Sequence, residues 1–358
     1  MSIATWGFNY TATRDVARNR NNAEEVSRIF SNVFWTRLFL AAICFVILMA
    51  LTFVIPKFSE NRLILAVTFL MIPGSVMFPE WLFQALERMK YITILSLLAK
   101  FLFTIAVFLL IKEKEDYILQ PLLSSLGYII SGVIATCLII FKWSYRLRPP
   151  SFKTIWKTIR GGADVFINNF TPNLYNSMSI VFLGMFHASS ANGIMSAGDR
   201  ALGIIRQFMD VLSRTFFPFL SRRIEKHAFY ARVSIITASF FTILLILFSS
   251  VFIKVFYTDE FSDAVPVAII LAPSIFFLTV TNVYGTNYLI LEGKEQNLRN
   301  ITILFSIIGL VMGVPLIYFF SYYGAAITIT VTRALLAVFI YGYARRIQKM
   351  NSIHAPYQ

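Results

Sequence analysis

Residues 91–111 read YITILSLLAKFLFTIAVFLLI, a run with one charge, Lys100, about as long as the roughly 20 apolar residues a helix needs to cross a bilayer. Runs of the same kind recur at 34–56, 63–86, 117–141, 164–186, 193–219, 231–256, 264–290, 299–320 and 323–343. About ten spans therefore fill the chain and leave no room for a separate soluble domain. Composition agrees: 57% of the 358 residues are hydrophobic and only 14% are charged, far from the balance of soluble domains. The runs are continuous, whereas barrel strands alternate over about ten residues. Since only helices and closed barrels satisfy every peptide group in hydrocarbon, the expected fold class is an all-α integral membrane bundle.

Positive charge collects on the cytoplasmic side of short loops, and here it collects on alternate loops. One set carries Arg14, Arg18, Arg20 and Arg28, then Arg88 and Lys90, the cluster from Lys142 to Arg160, the segment Arg222 to Arg232, Lys294 and Arg299, and finally Arg345, Arg346 and Lys349. The intervening loops carry Lys57, Arg62, Lys112, Lys114 and Lys254 beside the acidic stretches EKED (113–116) and TDEFSD (258–263). The formal net charge of +14 is thus topogenic, and no nucleic-acid partner is expected. Both 14–28 and the C-terminus are placed in the cytoplasm.

Cys44 and Cys137 lie in apolar runs and His187, His227 and His354 are scattered, so neither a disulfide framework nor a metal-ligand spacing is present. The chain shows no P-loop, nucleophile elbow or cofactor motif. Ahead of TATRDVARNR, the start MSIATWGFNY is too short to span and lacks the pattern of a signal peptide; it reads as the last half of a helix. ITIL occurs at 92–95 and again at 301–304, each time after a loop with Glu and a cation. Equivalent positions in two six-helix repeats would require two helices ahead of residue 34.

The stretches GFNYTATRDVARNR (7–20), PEWLFQALERMKYITIL (79–95), FINNFTPNLYNSMSIVFLGMF (166–186) and NGIMSAGDRALGIIRQFMDVLSRTFFPFLSR (192–222) resemble the O-antigen repeat-unit flippases of the MATE-like MOP exporter superfamily, which also holds multidrug extrusion transporters and the peptidoglycan lipid flippase. The resemblance implies a two-lobe bundle of twelve helices with a V-shaped central cavity, of which this chain lacks the first helix and part of the second. Residues 1–141 would form an incomplete N-terminal lobe of a half helix plus four full helices. A basic cytoplasmic linker (142–163), a six-helix C-terminal lobe (164–346) and a cytoplasmic tail (347–358) would follow. It further implies transport of an undecaprenyl-pyrophosphate-linked oligosaccharide across the bacterial inner membrane, with the O-antigen polymerase and chain-length regulator as partners. Without a nucleotide-binding motif, the energy source is an ion gradient, H+ or Na+.

The residues bear on this independently. At 100° per residue, Asp199, Arg206, Asp210 and Arg214 fall within about 80° of one another, with Ser213 at the edge of the same face. A charge at the bilayer centre costs about 2.5–3.5 kcal/mol, so such a face meets a ligand or water, or neutralises itself through i,i+4 pairs of Asp210 with Arg206 and Arg214; a helix lying in the interface plane is the third reading. Lys100 and Arg333 also lie within apolar runs, and Arg37, near a span end, reads as able to snorkel to the surface. Against these cations stand Glu80, Asp164, Asp199 and Asp210, which leaves a net positive interior suited to pyrophosphate, whose oxygens match the guanidinium fork. Glu80, between Pro79 and Trp81, is a candidate ion-coupling carboxylate together with Asp210, or a surface acid. Asn169, Asn173 and Asn176 share one helical face and are candidates for sugar contacts or for hydrogen bonds between helices.

The reading that unites these features is a secondary transporter without a cofactor, not an enzyme. A cation-drug antiporter is disfavoured by the positive interior. A membrane glycosyltransferase or polymerase would need a larger extramembrane segment, and an inactive fragment is the remaining alternative.

Overall fold

The computed structural model describes residues 2–187 and 189–354; the last residues of the expected tail, 355–358, lie outside them. The chain divides into two compact units, Met1–Phe166 and Ile167–Gln358, so the stretch 142–163 belongs to the first.

The first unit begins with α1 (Ser2–Thr5) and α2 (Phe8–Arg18). Positive φ at Trp6 and Gly7 separates them, so the helical start of the chain is broken at these two residues. Gly7 is required there twice over: its φ is 74°, and a Cβ would lie 2.9 Å from the Phe166 nitrogen. The long helix α3 (Ala23–Val54) starts at Asn22, whose side chain accepts from the Glu25 amide, with Glu24 and Glu25 in the first turn. After α4 (Pro56–Glu60), the expected span 63–86 is broken into α5 (Arg62–Phe69), α6 (Met71–Met77) and α7 (Glu80–Ala85), because Pro73 and Pro79 each remove a donor from the ladder. Then come α8 (Lys90–Leu110), α9 (Leu119–Cys137) with a π turn at Leu138–Lys142, and α10 (Phe152–Phe186), which enters the second unit.

Breaks in a membrane helix leave carbonyls that water cannot satisfy, so side chains supply the missing donors. The Ser75 carbonyl would accept from residue 79, which is proline; the Arg37 guanidinium donates to it at 3.2 Å. The same guanidinium donates to the Ala4 carbonyl at 3.2 Å, freed by the break at Trp6 and Gly7. Arg37 is therefore 4% exposed and does not snorkel. Thr136 donates to the Met77 carbonyl at 2.6 Å, beside the same break. The α6 and α9 backbones come together at glycines: a Cβ on Gly132 would strike the Gly74 carbonyl and lie 2.8 Å from the Met77 Cβ. Apolar packing completes the unit, with Phe8, Val16, Phe30, Trp81, Leu82 and Phe83 all buried.

The second unit holds α11 (Ser189–Arg222), α12 (His227–Phe256), α13 (Ala264–Leu271), α14 (Pro273–Thr281), a π-helical stretch Asn282–Leu289, and α15 (Glu295–His354). At Ser321 (φ 51°) α15 folds back on itself, between the two sequence spans 299–320 and 323–343. Its arms meet through Gly309 against Thr332 and Gly313 against Thr328, the close approach small residues allow. The core comprises Leu183, Leu202, Leu271, Ala272, Ile275, Ala325 and Ile329.

Among the described residues seven helical stretches are long and apolar enough to span a membrane. One is α15, which carries two arms. Those left out include α10 and α11, which at 35 and 34 residues are about 50 Å long, ample for a hydrocarbon core of about 30 Å. Their deficit is apolarity, and it comes from the polar residues singled out in the sequence. The molecule is an all-α, multi-pass membrane protein.

Two substitutions test this account. Gly132→Val overpacks the α6–α9 crossing and should cost about 1–3 kcal/mol, lowering the thermal midpoint of the purified protein in detergent, whereas Gly161→Val, whose Cβ would meet nothing within 4 Å, should not. Arg37→Met leaves two buried carbonyls without a donor, at about 1–3 kcal/mol each, and should lower the midpoint further than Arg28→Ala, which removes only an exposed i,i+3 pair with Glu25.

Candidate functional site

On α11 the face made by Leu202, Met209, Ser213, Phe217 and Leu220 is buried, and the charges lie along its flank. The Arg206 guanidinium reaches back two turns to the Asp199 carboxylate at 2.7 Å and to the Asp199 carbonyl at 3.1 Å. Asp210 is exposed and accepts from the Asn282 amide at 3.5 Å, the long end of hydrogen bonding. Arg214 and Arg200 are exposed, and among the described residues no ion pair or hydrogen bond holds the Arg214 side chain. Arg206 makes its direct ion pair with Asp199 and not with Asp210, while Asp210, within electrostatic reach of Arg214 and Arg206, and Arg214 stay exposed. A helical wheel registers angle but not the reach of an arginine, which is why the partner lies seven residues away.

Ser213, which the wheel puts on the charged face, is turned inward. The Asn287 amide donates to the Ser213 hydroxyl at 2.9 Å and to the Tyr230 hydroxyl at 2.5 Å, and Asn287 is 0% exposed. Next to it, His227 Nε2 lies 2.9 Å from the Val283 carbonyl, with its ring packed among Tyr230, Tyr284 and Tyr288. Asn282, Tyr284, Asn287 and Tyr288 all come from the π-helical stretch, where i→i+5 bonding widens the helix and re-aims side chains, a feature frequent at functional sites. None of them was singled out from the sequence. The signal was NVYGTNYL (282–289), amides and aromatics crowded into an otherwise apolar span.

On α10, Asn169 and Asn173 are exposed and adjacent, the Asn173 amide lying 3.4 Å from the Asn169 carbonyl. Asn176 is half-buried, and its amide oxygen has no partner among the described residues. Asn168 instead ties two elements together, accepting from the Thr302 hydroxyl at 2.6 Å. Arg333 lies inside the second unit at 7% exposure, donating to Ser274 at 2.9 Å, so the structure places it at a contact between α14 and α15. Glu80 and Lys100 lie in the first unit, where both line a cavity of about 380 Å³ together with Ser96, Ser124 and Tyr128. Among the described residues there is no group of three or more His, Cys, Asp or Glu side chains able to hold a metal ion.

A bundle of spanning helices with polar faces is the architecture of a membrane transporter, and solved structures of that class superpose on the chain. A MATE in the bent conformation gives a TM-score of 0.74 at 14% identity, covering 99% of this chain and 85% of that one. The outward-facing conformation of a multidrug resistance MATE family transporter of the MOP superfamily gives 0.72 at 14% identity, covering 96% and 84%. At such identities the likeness shows the fold, which is MATE-like. The family is fixed by sequence: residues 1–224 match the model of the polysaccharide biosynthesis protein family, and the chain belongs to it. It is also similar to the putative O-antigen transporter of Escherichia coli (strain K12), 23% identical over 348 residues, 95% of this chain and 84% of that protein. The putative O-antigen transporter of Shigella dysenteriae is 24% identical over 346 residues, 94% and 86% of the two chains. Both relatives are named as putative transporters.

The Asn287 network gives a stability prediction. Asn287→Ala leaves the buried Ser213 and Tyr230 hydroxyls without their shared donor and should cost about 1–3 kcal/mol, seen as a lower thermal midpoint in detergent. Asn173→Ala, on an exposed side chain, should leave the midpoint in place; equal midpoints for the two variants would remove the network from the account.

Proposed function

We propose that the chain is a secondary transporter that flips undecaprenyl-pyrophosphate-linked O-antigen oligosaccharides from the cytoplasmic to the periplasmic leaflet of the bacterial inner membrane by alternating access, with its C-terminus in the cytoplasm. The observation that carries the reading is α11, a helix long enough to span that keeps Asp210, Arg214 and Arg200 exposed and holds Arg206 against Asp199. Charge left unmatched at membrane depth calls for a charged ligand, and guanidinium groups suit a pyrophosphate. The family and the O-antigen transporters it resembles supply the lipid-linked glycan. Asn169, Asn173 and Asn176 are then sugar contacts, and in the first unit Lys100 is a second candidate for phosphate. Arg333 supports the site by holding α15 to α14.

Coupling falls to an ion gradient, H+ or Na+, at Glu80 or Asp210. One charge moved through 100 mV supplies about 2.3 kcal/mol. A drug antiporter, the function named for one of the structural neighbours, fits less well because an organic cation would meet arginines.

The test is complementation of a strain deleted for its O-antigen flippase, with the lipopolysaccharide ladder read on a gel. The chain should restore the ladder. Arg214→Ala should reduce it about tenfold or more, the loss of a charge-assisted contact, and Arg206→Ala should reduce it by leaving the Asp199 carboxylate unpaired on the same helix, while Arg345→Ala, an exposed side chain stacked on Tyr341, should not at equal membrane levels. Equal ladders from all three variants would remove α11 from the transport path.

A further inference from the structure

The first unit carries two cavities on the α8–α9 pair, and they differ in kind. The larger, about 380 Å³, is lined by Glu80, Ser96, Lys100, Ser124 and Tyr128 among others. The smaller, about 180 Å³, is lined by Leu98, Ala106, Leu123, Leu126, Ile130 and Ile134 among others. Ala99, Phe103, Gly127 and Ser131 line both, so the two spaces share one wall. That wall is thin because Gly127 stands in it: a Cβ there would lie 3.6 Å from the Ala99 carbonyl and 4.0 Å from the Phe103 Cβ. On one side of this contact lies a charged, hydroxyl-bearing space and on the other a hydrocarbon one.

Lys100 says what the charged end is for. Its ammonium stands in the middle of an apolar helix, where a charge costs about 2.5–3.5 kcal/mol. Among the described residues it has no ion pair and its ammonium makes no hydrogen bond. Glu80, which lines the same cavity, is within electrostatic reach of the buried Arg37, so its charge is already opposed from the protein side. An anion at Lys100 would balance the account, and lysine binds phosphate as a point charge. Inorganic phosphate would satisfy Lys100 but leave the apolar cavity unexplained, and a neutral glycan would use the hydroxyls but leave Lys100 unmatched. A lipid with a phosphate head satisfies both ends.

We infer that α8 and α9 part at Ala99 and Gly127 to pass the polyprenyl chain of the transported lipid, with the phosphate head at Lys100 and the hydrocarbon in the apolar cavity. The inference rests on the proposed carriage of lipid-linked glycans and adds the place where the lipid leaves the polar cavity for the bilayer. Such a place is a physical necessity for a flippase. Each methylene drawn from hydrocarbon into water costs about 0.8 kcal/mol, so a long chain stays in oil while its head crosses a wet cavity, and the wall between them must be open to it. The outer surface of α8 offers that oil, with Leu97, Leu98, Phe101 and Phe108 exposed.

The experiment is site-specific photocrosslinking of the full chain in phosphatidylethanolamine–phosphatidylglycerol vesicles containing a radiolabelled polyprenyl-pyrophosphate disaccharide. A photoreactive residue replaces Leu98 or Leu126 in the apolar cavity, Gln207 on the charged flank of α11, or Leu247, an exposed side chain of α12 that reports general lipid contact. Labelling at Leu98 and Leu126 should exceed that at Leu247 and fall about tenfold when combined with Lys100→Met, the loss of one charge-assisted contact. Excess unlabelled polyprenyl phosphate should compete and inorganic phosphate should not. Labelling at Leu126 no stronger than at Leu247, or unchanged by Lys100→Met, overturns the inference, and competition by inorganic phosphate does the same. Label at Gln207 but not at Leu126 sinks the path and leaves the carrier reading standing; label at neither above Leu247 sinks both.

Discussion

One guanidinium holds the first unit in register. Arg37 donates at once to the Ala4 carbonyl, where α1 ends, and to the Ser75 carbonyl, whose helical partner would have been the missing amide of Pro79. In water these carbonyls would be hydrated and the arginine would be free to leave. In a bilayer neither is so, and a cation facing the carbonyl ends of two interrupted helices is the arrangement the helix dipole favours. The interruption also lets α7 turn away from α6, which puts Glu80 at the cavity it shares with Lys100. The break that makes the cavity is thus secured by a charge buried on the other side of it.

The same logic recurs at several other helix breaks. Thr136 serves the Met77 carbonyl, Ser125 the Val67 carbonyl and Thr330 the Ile270 carbonyl. In the second unit the π-helical stretch is held by Asn287, which joins α11 and α12 through Ser213 and Tyr230, and by His227 at the Val283 carbonyl. An irregular segment in hydrocarbon persists only when other side chains complete its hydrogen bonds, so each of these breaks is fixed in place by named partners.

The sequence makes some of this legible and hides the rest for identifiable reasons. The spans could be read from hydropathy, and so could the fold-back at Ser321, because both depend on apolar content along a segment. The polar flank of α11 could be read because periodicity reports direction. Periodicity reaches less far at the next step: it offers Asp210 as an i,i+4 partner of Arg206 and Arg214 but does not show that the Arg206 guanidinium bonds the carboxylate two turns back, and it put the inward Ser213 among the charges. Angles counted at 100° per residue also pass over a π turn without trace, which is why Asn282 and Asn287 went unremarked. Arg37 looked like a snorkelling cation because its partners are backbone carbonyls, and no residue type marks a carbonyl as unpaired except indirectly, through a proline four positions on.

The cations at membrane depth therefore fall into two kinds, and the distinction bears on carriage. Arg37, Arg206 and Arg333 are each committed to protein partners, and Arg206 adds no net charge to the face it lies on because Asp199 cancels it. Lys100 and Arg214 are uncommitted. On the proposed reading the committed group shapes the cavities and the uncommitted group meets phosphate, neither Lys100 nor Arg214 being backed by a second fixed donor. A site so sparingly charged holds a pyrophosphate less tightly than a dense arginine cluster would. That suits a carrier, which must release on the far side what it accepts on the near side, and whose gain from an ion gradient amounts to only about 2.3 kcal/mol per charge per 100 mV.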